Sequence, residues 1–234
     1  MGAAAGGGLG CIGMSAEAQT ELTGPGSAGE ILTALLAQAG LAPLDPNVIK
    51  NFETYLALLL RWNSRINLTA IRDEGSILAR HFVESIACVQ ALPREIATLL
   101  DFGSGAGFPG IPIALCRPAV AVTLAESQGK RAAFLQEAVR VLRLSAQVHR
   151  GRAESLAHHF DCVTLRAVDR MEEAVKAAAR LVAPSGYLAV MTTGDERAKV
   201  QAAAGAGFTW SHPTPMPASD DRILVLGAHL GLPV

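Results

Sequence analysis

The residues best suited to chemistry lie in the run Leu-Leu-Asp-Phe-Gly-Ser-Gly-Ala-Gly-Phe-Pro-Gly-Ile-Pro, from Leu99 to Pro112. An apolar stretch of strand length ends in Asp101, and Gly103, Gly105 and Gly107 follow at alternate positions. Glycines at that density suit a loop that turns sharply and brings its backbone close to a ligand with no side chain between them. A carboxylate at the C-terminal end of a strand stands where open α/β sheets hold their ligands.

The register of the glycines narrows the ligand. A dinucleotide fold uses Gly-x-Gly-x-x-Gly, which from Gly103 needs a third glycine at 108, and 108 is Phe. Asp101 would repel a pyrophosphate but attract an ammonium group, so S-adenosylmethionine, with its charged amino-acid end, is the expected ligand. A divergent dinucleotide site and a tight turn with no ligand are the alternatives. Val120 to Glu126 is a second apolar, β-branched run that ends in a carboxylate. Glu126 lies 23 residues after Gly103, close to the ~20-residue offset at which an acidic side chain meets a ribose in a βαβ unit. By itself Glu126 would equally suit a solvated strand end. Arg166 closes the apolar run Cys162 to Leu165 and is expected at the same sheet edge, as a site residue or as a surface arginine ending a strand.

The elements that must position these residues follow from periodicity. Glu30 to Ala39 reads as a short helix stopped at Gly40. Asp45 and Pro46 are an N-cap followed by a first-turn proline. From there Val48, Phe52, Tyr55, Leu59 and Trp62 form the stripe of an amphipathic helix, with Trp62 expected in the core. The period breaks over Asn63 to Ala70. Asp73 then caps a helix to about Ala91, with Ile77, Leu78, Phe82, Ile86 and Val89 inward. Strands are expected at 97–102, 120–126, 146–149, 161–167, 186–192, 208–213 and 222–228. Helices are expected between them, including Lys130 to Leu142 (inward Ala133, Phe134 and Val141) and Glu172 to Leu181. That alternation builds a mostly parallel sheet covered on both faces. Thr214 to Asp221 is too short for a helical crossover, so the chain should close on an antiparallel hairpin. The expected architecture is an α/β, class I (Rossmann-like) methyltransferase fold with seven strands, carried on residues 96–234. A helical extension over 30–95 and a disordered tail over 1–29 precede it.

Composition limits what surrounds the site. Half of the 234 residues are hydrophobic, enough for one substantial core. No run approaches the ~20 apolar residues of a membrane span. Cys11, Cys88, Cys116 and Cys162 are scattered, which suits a cytoplasmic protein and gives no metal framework. His158 and His159 are adjacent and would point apart on a helix. The Gly/Ala/Ser-rich start lacks a basic segment and a continuous apolar stretch, so it is a poor signal peptide. Met14 within it offers an internal start, which the intact mass of the native protein would test. The formal net charge is −1, yet no Lys or Arg precedes Lys50, so the remainder is mildly basic, and its cations are mostly Arg. That bias permits a local face for nucleic acid.

From about Phe52 onward the chain resembles the bacterial small-subunit ribosomal RNA guanine-N7 methyltransferases, the family of ribosomal RNA small subunit methyltransferase G or glucose-inhibited division protein B. The motifs that carry the resemblance, in order, are Trp62-Asn63 with Asn67-Leu68-Thr69, Arg80-His81 with Glu84-Ser85, and Asp101 to Pro112. Glu126-Ser127 with Gly129-Lys130-Arg131, Arg152-Ala153-Glu154 and Arg166-Ala167 complete the set. Glu84, and often Glu126, stand where members of the family carry Asp. The resemblance implies methylation of N7 of one loop guanine in 16S ribosomal RNA, on naked RNA or on the small ribosomal subunit. It also implies that Gly103 and Phe108 line the S-adenosylmethionine pocket, that Ala153 and Glu154 flank the adenine, and that Arg166 sits at its mouth. Glu154 would alternatively cap a helix. N7 carries a free lone pair, so no catalytic base is needed. This agrees with the lack of a catalytic cysteine motif for carbon-5 methylation and of an Asn-Pro-Pro-aromatic segment for exocyclic amines. RNA phosphates are expected on Arg80, Lys130 and Arg131, and a monomer is expected. A small-molecule methyltransferase, a nicotinamide-dependent oxidoreductase and a non-catalytic ribosome-assembly factor are the competing readings.

Overall fold

A computed structural model describes residues 26–217 and 219–231. Cys11, Met14 and most of the expected tail lie outside the described residues. The chain enters at a helix that begins earlier than the periodicity indicated, α1 (Ala28–Gln38), within the segment assigned to the tail. Ser27 starts it through a capping box, its hydroxyl accepting from Glu30 N while the Glu30 carboxylate accepts from Ser27 N. Asp45 caps α2 (Pro46–Ile66) as expected. That helix continues past Asn63, and ends only where Asn67 turns left-handed, at φ +46°. Asn63 tolerates the helix because its amide oxygen accepts from Thr69 N and its amide nitrogen donates to Ile71 O. Asp73 caps α3 (Glu74–Ile77), and α4 (Glu84–Ala91) continues the same rod after a π-helical turn over Leu78–Val83.

Among the described residues, eight strands form one sheet: β1 (Thr98–Phe102), β2 (Ala121–Ala125), β3 (Gln147–His149), β4 (Phe160–Arg166), β5 (Val182–Thr193), β6 (Phe208–Trp210), β7 (Thr214–Pro215) and β8 (Arg222–His229). Their order is β3-β2-β1-β4-β5-β8-β6, parallel from β3 to β5, with β8 antiparallel to both β5 and β6. This is the class I methyltransferase sheet with its closing antiparallel hairpin. The difference from seven strands is β7, a two-residue strand within the connection, which pairs with β8.

Alternation along the strands divides the core. Leu99 on β1 faces one side with α1–α4, α5 (Gly110–Cys116) and α6 (Gly129–Val141). Leu100 faces the other with α7 (Met171–Ala179) and α8 (Arg197–Ala204). The N-terminal helices therefore share a core with one sheet face. Phe52, Phe82, Leu124 and Phe134 belong to a single cluster. Trp62 packs edge-on against Phe134 on α6, with centroids 5.8 Å apart. The buried residues of α6 are Ala132, Phe134, Leu135 and Ala138, whereas Ala133 and Val141 are only half-buried. The inward stripe is set by where α2 lies, and the local sequence does not reveal that.

Candidate functional site at the carboxyl edge of the sheet

The loop between β1 and α5 takes three left-handed turns, with φ +72° at Gly103, +57° at Gly105 and +93° at Gly107. Its hydrogen bonds bind it to its neighbours. Ser104 N donates to Ala125 O at 2.9 Å, Gly105 N to Glu126 Oε2 at 3.0 Å, and the Tyr55 hydroxyl to Ala106 O at 2.5 Å. The glycines divide by task. Gly103 and Gly105 border the groove above the sheet. Gly107 is turned into the protein, where a Cβ would strike the Ile111 side chain and come within 2.9 Å of the Tyr55 hydroxyl.

Asp101 does not meet the ligand-facing role the sequence suggested. It is 1% exposed and lies beneath the loop. Oδ1 accepts from Thr164 Oγ1 at 3.0 Å and Oδ2 from Gly110 N at 3.2 Å. Burial pushes its carboxyl up to about 6, against hydrogen bonds that favour the charged form. The strand pleat turns this side chain into the protein, so Asp101 braces the loop from beneath and does not border the groove.

Glu126 does border the groove. Its Oε1 accepts from Gln128 N at 2.7 Å and its Oε2 from Gly105 N at 3.0 Å. Each oxygen keeps a second lone pair for a hydroxyl donor. Ala153 is buried at the start of a single 3-10 turn over Ala153–Ser155. Glu154 stands on the groove wall, paired with Arg152 at 2.7 Å, which holds its carboxyl below the usual range. No side-chain cap starts that turn, so Glu154 is not a helix cap.

Arg166 leaves the end of β4 and crosses to the π-helical turn. Its guanidinium donates to Arg80 O at 2.7 Å, His81 Nδ1 at 3.0 Å and Glu84 Oε2 at 3.0 Å. It is no solvated strand end, since its side chain is 12% exposed. Phe108 lies 5.8 Å below the guanidinium and stacks on His81 at 4.8 Å. Acceptance at Nδ1 leaves the His81 proton on Nε2, which meets Thr69 Oγ1 at 2.7 Å. Burial, then the cations Arg166, Arg80 and Arg222, drive His81 down to about 3. The groove has two parts, of about 310 and 250 Å³, with Gly103, Arg131 and Ala167 common to both.

A sequence model described as rRNA small subunit methyltransferase G matches residues 48–210. The chain belongs to that family. The protein of that name from Stenotrophomonas maltophilia strain R551-3 is 44% identical over 171 residues, which cover 71% of this chain and 78% of the relative. The one from Xanthomonas axonopodis pv. citri is 40% identical over 74% of this chain and 82% of its own length. Among solved structures, a methyltransferase from Pyrococcus furiosus superposes with TM-score 0.58 at 11% identity, covering 78% of this chain and 99% of its own. A SAM-dependent methyltransferase from Aquifex aeolicus gives 0.52 at 16% identity, covering 66% and 93%. At those identities the likeness is one of fold.

The cofactor of this methyltransferase is S-adenosylmethionine, the ligand expected from the sequence, and the groove fits it, although Asp101, expected to attract its ammonium group, does not border the groove. Two glycines leave its floor free of side chains, and a carboxylate with spare lone pairs stands on its wall. Of the three basic residues expected on RNA, Arg131 borders both parts of the groove. Lys130 is exposed beside it at the start of α6. Arg80 is exposed on the π-helical turn and lines the cavity beyond Arg166, outside the groove. Sequence reasoning missed Thr164, the partner of Asp101, and Arg222, whose Nε donates to Glu84 Oε1 at 2.8 Å from 138 residues away. No local signal marks either residue. His81 and Glu84 stood inside quoted motifs, but without a role.

Proposed function

We propose that this ribosomal RNA methyltransferase modifies N7 of a guanine in 16S RNA. The observation that carries the reading is that none of the titratable groups packed around Arg166, on the wall between the groove and the neighbouring cavity, is free to take a proton, Glu84 being spent on two arginines. Arg166 is a paired cation, His81 is held at about 3 and makes a poor base, and Asp101 is sealed under the loop. Such a site suits an acceptor atom that already carries a free lone pair, and guanine N7 is one. When bound, S-adenosylmethionine supplies an electrophilic methyl group on sulfur. Gly103, Gly105 and Phe108 hold its amino-acid side, Glu126 accepts from its ribose hydroxyls, and Ala153 and Glu154 flank its adenine. Arg166 fixes the wall between cofactor and target, while Arg80, Lys130 and Arg131 take RNA phosphates. Rate then comes from positioning.

The test is incubation with radiolabelled S-adenosylmethionine and small ribosomal subunits from cells lacking this activity, followed by mapping of the label. The expected result is label on N7 of one loop guanine. Label on another atom, or transfer that needs no RNA, overturns the reading. A second measurement follows from the chemistry. With no proton to remove, kcat/KM should stay flat between about pH 7 and about 9, and a rise across that range would reveal a base.

A further inference from the structure

On the side of Arg166 away from the glycine loop lies a cavity of about 280 Å³. It shares His81, Arg166 and Ala167 with the cofactor groove, so the two have a common wall. Its size falls just under the roughly 300–1,000 Å³ typical of small-molecule sites, which suits a single heterocycle. Met171, Met191 and Met216 line it, and thioether side chains adapt to the faces of a flat ring. Its charges nearly cancel, with Arg166 and Arg222 set against Glu84 and Glu196 and only Arg80 in excess at the exposed rim. That balance suits an uncharged ring better than a phosphate.

The two carboxylates differ. Glu84 is fully buried and spends both oxygens on Arg166 and Arg222. Glu196 stands on the open side at the start of α8, and its Oε2 accepts from Thr192 Oγ1 at 3.0 Å. Its Oε1 has no hydrogen-bond partner among the described residues. A carboxylate oriented by one hydroxyl, facing a slot walled by methionines, is a receptor for a ring edge carrying adjacent N–H donors.

We propose that this cavity receives the unstacked target guanine and that Glu196 reads its Watson–Crick edge, accepting from N1–H and the 2-amino group. The inference rests on the guanine reading above and adds the element that selects the base. Enzymes that modify a base read it outside the stack, by its Watson–Crick edge and by contacts to its faces. Adenine would turn an acceptor, N1, toward the carboxylate and offers no 2-amino group. Guanine N7 lies on the opposite, imidazole side of the ring, toward Arg166 and the cofactor groove.

The experiment compares wild type, Glu196→Ala and Glu196→Gln on assembled small-subunit RNA carrying either guanine or inosine at the target. Inosine keeps N1–H and lacks the 2-amino group. Wild type should slow roughly 10- to 100-fold on inosine. Glu196→Ala, which deletes both contacts, should lose at least that factor on guanine and treat the two bases alike, while Glu196→Gln falls between. Cofactor affinity and Tm should stay at wild-type values, because Glu196 lies at the exposed start of a helix and outside the cofactor groove. Wild-type rate and base preference in Glu196→Ala, with N7 still labelled, would overturn the inference alone. No N7 label with wild type would overturn the function and this inference together.

Discussion

The glycines of the loop differ by what each would strike, and their alanine variants should separate accordingly. Gly107 needs a positive φ and has no room for a methyl group between Ile111 and Tyr55. Gly107→Ala should therefore cost about 2–4 kcal/mol, combining left-handed strain with overpacking, read as a lowered denaturation midpoint. Gly105 has no atom nearer than 3.8 Å to an added Cβ, and it borders the groove. Gly105→Ala should lose only about 1–2 kcal/mol of stability but should weaken cofactor binding, a contrast that paired melting and binding titrations would check. Asp101 carries a pH signature. Burial raises its carboxyl from 3.8 to about 6, so between those values the unfolded chain has released a proton that the folded chain keeps. Stability from this group is greatest below that window and falls as pH rises through it. The Tm difference between wild type and Asp101→Asn should thus change over that range and level off above it.

At the scale of elements, the π-helical turn is the joint between the N-terminal helices and the sheet. It carries Arg80 and His81 toward Arg166, and Glu84 follows on α4 between Arg166 of β4 and Arg222 of β8. Removing one cation leaves a buried carboxylate half-compensated. Arg166→Ala should cost about 3–5 kcal/mol, and it should also loosen Phe108 and His81 at the groove. Chemical denaturation would measure the first effect and cofactor titration the second. The helices flanking the turn were legible from Asp45-Pro46, Asp73 and the apolar stripes. The turn was not, because nothing in Leu78–Val83 distinguishes a π-helical turn from an α-helical one. Partners drawn from β4 and β8, more than eighty residues further along the chain, meet it there.

At the scale of the molecule, the core cluster shared by the N-terminal helices and one sheet face holds the basic residues of α6 beside the groove. Lys130 touches neither part of the groove, whereas Arg131 borders both. Lys130→Ala should therefore weaken RNA binding and reduce its salt slope by roughly 0.7–0.9 if it holds one phosphate, while leaving cofactor affinity unchanged. Arg131→Ala should alter both. Binding isotherms at several salt concentrations would separate the two.

Local spacing was enough to mark the caps Asp45 and Asp73, the alternating strands, the glycine loop and the acidic strand end at Glu126, though not the Ser27 cap of α1. These are local signals, written in spacing that a helix or strand repeats every few residues. Which polar groups face the groove depended on the folded chain. Asp101 was indistinguishable from Glu126 as a strand-end carboxylate, yet the loop closes over it and Thr164 holds it there. Arg166 found its carboxylate on a helix of the N-terminal extension, and Arg222 reached the same carboxylate from the last strand. Burial and ion pairing are set by whatever the folded chain brings alongside, and residues far apart in sequence carry no local mark of that.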